Sequence, residues 1–243
     1  RRSGIFRPMT SERDELKRAA ALRAIEEVED GMVLGLGTGS TAAFVVDGLA
    51  ARVRDGLRIV GIPSSERTAA QARGLGIAIA TFADYQQLDM TIDGADEVEL
   101  GTLHLIKGLG GALLREKIVA AASRRLVIVV DQEKLVDRLG EHTPVPVEVT
   151  RFGWQATATY LAALGCTAER RYGGGEQPFV TDEGHFILDC RFGAIADPGA
   201  LEKRIATTVG AVENGLFVGR ASKVVVASTT GVEVLVPPPR NEA

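Results

Sequence analysis

A chain of 243 residues, 45% apolar and 25% charged, has ordinary globular composition and length for one large domain or a larger one with a smaller companion, which excludes disordered and fibrous classes. Its 28 basic and 32 acidic residues leave a formal charge of −4 with no stripe of Lys and Arg, which argues against a nucleic-acid partner. No run approaches the ~18 apolar residues of a membrane span, and residues 1–8 lack the apolar stretch of a signal peptide, so the expectation is a cytoplasmic chain without a membrane partner.

Residues 1–9 read as an unstructured extension. From Ser11 a helix is predicted: Asp14 stands three residues on, and Leu16, Ala19, Ala20, Leu22 and Ile25 recur at helical spacing. Gly31 ends it, and a buried strand at 32–36 leads through a Gly/Thr/Ser loop into a helix at 40–54. Strand 57–62, helix 64–73 and strands 77–80 and 88–93 continue the pattern. Short apolar strands alternating with helices predict an α/β fold, a doubly wound, mostly parallel, Rossmann-like sheet covered on both faces. A hairpin over 97–107 turning at Gly101-Thr102, a helix at 110–123 and a strand at 126–130 follow.

Near Thr143-Pro144-Val145-Pro146-Val147 the composition shifts. Strand, helix (153–164), strand, a hairpin turning at Asp182-Glu183-Gly184, helix (198–208) and strand then suggest a smaller α+β, ferredoxin-like domain. Strands at 223–227 and 232–236 are expected to return to the first sheet, which makes the small domain an insertion. The division reads 10–143 plus 215–240 for the Rossmann-like domain and 144–214 for the inserted one. Cys166 and Cys190 are too few for a disulfide scaffold and read as small buried hydrophobes. His104, His142 and His185 lie far apart without metal-ligand spacing, so no metal is expected.

Four segments can carry chemistry. Gly35-Leu36-Gly37-Thr38-Gly39-Ser40-Thr41 sits at a strand-to-helix junction, where glycines turn the chain and free N–H groups meet an anion. It is neither a dinucleotide fingerprint, since Ser40 replaces the third glycine, nor a P-loop; the competing reading is a tight turn with Ser40 as helix N-cap. Asp93-Gly94-Ala95-Asp96-Glu97 follows a strand's carboxyl end, the edge where such sheets bind ligands, and its carboxylates suit a polyhydroxylated substrate. Lys107 precedes the glycine-rich Gly108-Leu109-Gly110-Gly111 loop, where a fixed positive charge can stabilise an oxyanion. Glu116 has Ala112, Leu113, Val119 and Ala120 at i−4, i−3, i+3 and i+4, an apolar setting that raises the proton affinity of a carboxylate. The competing reading pairs it with Lys107 or a neighbouring subunit. Lys134, after Asp131-Gln132-Glu133, can reach an anion at the same sheet edge, and Lys17 on the first helix is a weaker candidate.

In this order Gly37-Thr38-Gly39-Ser40-Thr41, Ser64-Ser65-Glu66, Asp93-Gly94-Ala95-Asp96-Glu97, Ile106-Lys107-Gly108, Arg115-Glu116-Lys117 and Pro146-Val147-Glu148-Val149 resemble ribose-5-phosphate isomerase of type A over nearly the whole chain. The resemblance implies interconversion of D-ribose 5-phosphate and D-ribulose 5-phosphate in the non-oxidative pentose phosphate pathway, without metal or organic cofactor, by a homodimer or homotetramer. It matches Glu116 to the catalytic base and Thr38, Gly39, Ser40, Thr41 and Lys134 to substrate-binding positions. Asp93, Gly94, Ala95 and Asp96, with Lys107, Gly108, Leu109 and Gly110, match the remaining contacts, and Lys17 a position that assists with phosphate. Leu109 and Leu114 depart from the family pattern, where glycine and threonine are commoner.

The mechanism that fits is proton transfer between C2 and C1 by Glu116 through a cis-enediolate stabilised by Lys107 and loop amides, with Asp93 and Asp96 binding hydroxyls, assisting ring opening and relaying a proton. Two other readings are a non-catalytic sugar-phosphate sensor and a related deaminase or coenzyme A transferase. Retention of Glu116 argues against the sensor, and the Asp-Gly-Ala-Asp segment with Lys107 favours the isomerase.

Overall fold

The first βα units start where the spacing predicts. In the computed structural model, which describes residues 11–238, Ser11 caps helix α1 (Glu12–Ile25), its hydroxyl accepting the Asp14 N–H at 3.2 Å. The expected extension at 1–9, like residues 239–240 of the expected domain, lies outside the described residues. Strand β1 (Val33–Leu36), α2 (Ser40–Arg54), β2 (Val60–Pro63), α3 (Glu66–Gly74), β3 (Ala78–Ile79) and β4 (Met90–Asp93) follow. Next come β5 (Glu97–Glu99), β6 (Leu105–Ile106), α4 (Leu113–Ala121), β7 (Leu126–Asp131), a 3-10 turn at Gln132–Lys134 and β8 (Leu135–Val136).

The chain then builds β9 (Val145–Val149), α5 (Trp154–Ala162), β10 (Thr167–Arg170), β11 (Tyr172–Gly174), β12 (Gln177–Pro178), β13 (Phe186–Arg191), α6 (Pro198–Ala206) and β14 (Ala211–Asn214). It ends with β15 (Leu216–Phe217), β16 (Lys223–Ser228) and β17 (Gly231–Leu235).

The main sheet runs β17-β16-β7-β4-β1-β2-β3, parallel except for the antiparallel edge strand β17. Its period-two alternation buries both faces. Val127, Val129, Val225 and Ala227 join α1 and α2 in one core, while Leu126, Ile128, Val130, Val224 and Val226 pack with Phe217 in another. Strand order reverses at β1, whose neighbours are β2 on one side and β4 on the other, so the loops leaving the carboxyl ends of β1 and β4 open a crevice at the switch point.

Between β8 and β15 the chain makes a separate antiparallel sheet, β10-β13-β9-β14, with α5 and α6 in the βαββαβ order expected. Val145, Val147 and Val149 pack with Leu161 of α5 and Leu201 and Ile205 of α6 in a core that Ile106, Val136 and Leu139 also enter. The turn at 182–184 forms, with the Gly184 N–H on Thr181 O at 2.9 Å, but β11 and β12 make an extra short pair before it. Gly174 and Gly175, both at positive φ, reverse the chain there.

A third sheet, β15-β6-β5-β8, was not foreseen: β15, two residues after β14, pairs with the hairpin strand β6, Leu216 against Ile106 and Phe217 against Leu105. Helix α4 is also shorter than the predicted 110–123, because Gly108 and Gly111 at positive φ close a turn, Gly111 N–H to Gly108 O at 3.0 Å.

Candidate active site

The loop after β1 is shaped by what lies behind it. A Cβ on Gly37 would stand 2.2 Å from Asp93 Oδ1, so only glycine lets the two loops approach. Gly39, at φ +115, is the N-cap of α2 and gives it no side-chain cap; Ser40 is the first helical residue, not the cap the alternative reading assigned. The uncapped N–H groups of the first turn of this 15-residue helix face the cavity that Gly39, Ser40 and Thr41 line. Thr38 also lines it, but its hydroxyl is held among those of Ser64, Ser65 and Thr68 at 2.9, 2.8 and 3.2 Å, and its N–H reaches Asp93 at 3.0 Å. Thr38 therefore fixes the loop, and the helix amides beyond it are left in the position where a helix start can meet an anion.

Across the crevice sits a buried charge cluster. Lys107 Nζ lies 2.9 Å from Asp93 Oδ2, 3.5 Å from Glu116 Oε2 and donates to Gly94 O at 2.7 Å. The three side chains are 1–3% exposed. Burial by itself would lower Lys107, but the charges of Asp93, Glu116 and Asp96 outweigh it and raise its pKa, so it stays an ammonium. Burial pushes Glu116 up to about 8; Lys107 opposes the rise, and Asp93 and Asp96 add to it. The apolar arc read from the helix spacing is present, with Ala112, Leu113, Val119 and Ala120 all buried. Among the described residues Glu116 Oε2 has no hydrogen-bond partner, the 3.5 Å approach of Lys107 being an ion-pair contact. A buried carboxylate oxygen left without a donor, on a cavity wall, has the environment of a proton acceptor.

The cavity encloses about 220 Å³. Of the residues singled out in the sequence it brings together Lys17, Thr38, Gly39, Ser40, Thr41, Gly94, Ala95, Asp96, Lys107, Gly108, Gly110, Glu116 and Lys134. Two others stand off the wall. Asp93 is behind it, Oδ1 accepting the N–H groups of Thr38 and Gly94 and Oδ2 facing Lys107, so that it holds the lysine and the loop. Leu109 is 40% exposed, and its N–H donates to Asp96 Oδ2 at 2.9 Å. Burial raises Asp96 despite that N–H and the charges of Lys107, Lys134 and Arg171.

Arg13 was missed. It lines the cavity with Lys17 and Lys134, 3.4 Å from Asp131. Its place one turn before Lys17, on the same face of α1, was the available signal. Glu97, the last residue of the acidic motif, turns away and takes the N–H groups of Gly140, His142 and Thr143 at 2.6–2.8 Å. Among the described residues no group of three His, Cys, Asp or Glu side chains is placed to hold a metal ion. Nor is any described helix long and apolar enough to cross a membrane.

A small polar cavity thus has three cations and a helix N-terminus in its lining, together with a buried acid–lysine pair. Comparison with known proteins points the same way. The ribose 5-phosphate isomerase A (phosphoriboisomerase A) family matches residues 60–231. A ribose-5-phosphate isomerase A of Gloeobacter violaceus is 64% identical over 224 residues, 92% of this chain and 97% of that one. The solved ribose 5-phosphate isomerase A of Methanocaldococcus jannaschii is 41% identical with a TM-score of 0.88, over 92% of this chain and 99% of that one. A D-ribose-5-phosphate isomerase in complex with phospho-erythronic acid is 38% identical with a TM-score of 0.90, over 93% and 100%. With sequence, fold and ordered motifs in agreement along nearly its whole length, this chain belongs to the ribose 5-phosphate isomerase A family.

Proposed function

We propose that the chain is an aldose–ketose isomerase interconverting D-ribose 5-phosphate and D-ribulose 5-phosphate in the non-oxidative pentose phosphate pathway. The observation that carries the mechanism is Glu116: buried on the cavity wall, one oxygen without a donor, 3.5 Å from a lysine held charged. The phosphate binds at the first turn of α2 with Lys17, Lys134 and Arg13 around it, which fixes the register of the sugar.

Glu116, as carboxylate, takes the proton from C2 of the open-chain aldose. The C–H electron pair forms the C1=C2 bond and negative charge moves to O1, giving a cis-enediolate beside Lys107 and the loop amides. A proton passes from O2 to O1, relayed by Asp96, and Glu116 returns its proton to C1, leaving the ketone at C2. Asp93, with both oxygens engaged, keeps Lys107 charged and in place. Phospho-erythronic acid, held by the solved relative, carries a carboxylate where the sugar has C1 and C2, and so resembles the charge of an enediolate.

The division into a Rossmann-like domain and an inserted domain at 144–214 is part of this reading, as are a cytoplasmic site of action and assembly as a homodimer or homotetramer. Phe152 and Val209, 97% and 78% exposed on the inserted unit, favour such assembly, which light scattering checks. Conversion of ribose 5-phosphate by purified protein in excess EDTA, beside Glu116→Gln, tests the activity. Turnover that is lost in the variant is expected; a wild-type protein that binds pentose phosphates without turning them over refutes the isomerase.

A further inference from the structure

The loop that follows Lys107 is held from outside by the inserted unit. Arg171 directly follows β10, its own N–H on Ile187 O and its carbonyl receiving the Phe179 N–H, both at 2.9 Å. Its Nη1 donates to Gly108 O at 2.8 Å and to Leu109 O at 3.1 Å. The other edge of the guanidinium forms a two-point pair with Asp189 on β13, Nε to Oδ2 at 2.9 Å and Nη2 to Oδ1. A carboxylate gripping the fork in this way sets the plane of the guanidinium, so the donors to the loop have a set direction. Phe179, whose ring centroid is 6.0 Å from the guanidinium, closes on Gly111, where a Cβ would stand 2.3 Å from the ring.

A trans peptide is planar, with its N–H pointing opposite to its C=O. Drawing the Gly108 and Leu109 carbonyls outward to Arg171 therefore turns the N–H groups of Leu109 and Gly110 the other way. The first is found on Asp96, which lines the cavity. The second belongs to Gly110, also on the wall, and has no hydrogen-bond partner among the described residues.

We propose that Arg171, braced by Asp189, is a positioning residue: by taking the Gly108 and Leu109 carbonyls it aims the Gly110 N–H, and through the Leu109 N–H the Asp96 carboxylate, at the developing enediolate. The proposal rests on the isomerase reading of the cavity. Arg171 is not in the cavity lining; it acts through two peptide planes, its charge adding to those of Lys107 and Lys134 on Asp96.

The test is steady-state kinetics on ribose 5-phosphate for wild type, Arg171→Met and Arg171→Lys, with inhibition by phospho-erythronic acid and by inorganic phosphate. Misaiming one oxyanion donor should cost less than removing it, so Arg171→Met is expected to lower kcat about 10- to 100-fold with KM within about threefold. The Ki of phospho-erythronic acid should rise along with the loss in kcat/KM. That of inorganic phosphate should stay within about twofold, because its donors lie on other elements. Arg171→Lys, with one ammonium in place of the planar fork, should recover part of kcat.

Equal weakening of both inhibitors would mean general loosening and would overturn the proposal. So would a wild-type kcat in Arg171→Lys, whether or not Arg171→Met folds. A wild-type enzyme inactive on ribose 5-phosphate would instead sink the isomerase reading itself.

Discussion

Glu116→Gln separates the chemistry of the carboxylate from its electrostatics. A rise from an ordinary 4.5 to about 8 corresponds to about 5 kcal/mol between the ionised and neutral forms, at ~1.4 kcal/mol per unit. Because the folded value lies above the unfolded one, the folded protein keeps a proton that the unfolded chain has released. This contribution to stability is complete below pH 4.5 and is lost as pH rises through about 8. Glutamine preserves the shape and never ionises, so it is spared the loss. Groups titrating alike in both proteins cancel in the difference, and Asp93 at 2.9 Å keeps Lys107 charged in each.

The variant should therefore gain stability over wild type by about 2–3 kcal/mol between pH 6 and pH 8.5. That is roughly 5–10 °C in Tm for a chain of this size. Urea unfolding of both proteins at several pH values across this window measures it. Turnover should meanwhile fall by at least about 10²-fold, the contribution of a positioned general base. A stability difference that stays flat within about 0.5 kcal/mol, or that shrinks as pH rises, would refute the buried, proton-retaining carboxylate.

Wild-type kcat/KM should climb with pH through about 8, since the base must be ionised; a pH–rate profile level from pH 6 to 9 would exclude Glu116 as that base. Lys107→Met leaves Asp93 buried without its cation and should destabilise by about 3–5 kcal/mol in urea, with Asp93→Asn recovering most of it; no recovery would deny the pair its role. Thr38→Val takes one hydroxyl from the cluster with Ser64, Ser65 and Thr68, and a loss of about 1–3 kcal/mol in the same assay is expected, less than 0.5 contradicting a structural role. Lys134→Ala should raise KM for ribose 5-phosphate about tenfold while kcat stays within about threefold, as for one charge-assisted contact to the phosphate; a change confined to kcat would remove Lys134 from phosphate binding.

Local chemistry was legible in the sequence. Apolar runs alternating with helical spacing gave away the parallel sheet, because a strand buried on both faces reads as a continuous apolar segment wherever it occurs. The apolar neighbours of Glu116 follow from helix geometry alone, and the glycine-rich turn and the acidic segment announce themselves by residue type. Their order along the chain was enough to point to the family.

Where each polar group finds its partner was not legible, since those partners lie far off in sequence. That the Thr38 hydroxyl meets those of Ser64, Ser65 and Thr68, and the Asp93 carboxylate two loop amides and a lysine, could not be read from residue type. The third sheet joins residues over a hundred positions apart, and with it the carbonyl of Gly215 comes to hold the Lys107 N–H at 2.9 Å. Arg171 reaches back 63 positions to the loop it grips. Residue type and spacing set which elements form and which groups can react. Only the packing of distant elements decided which of those groups face the cavity, because a buried polar atom takes the nearest donor or acceptor that the fold places beside it.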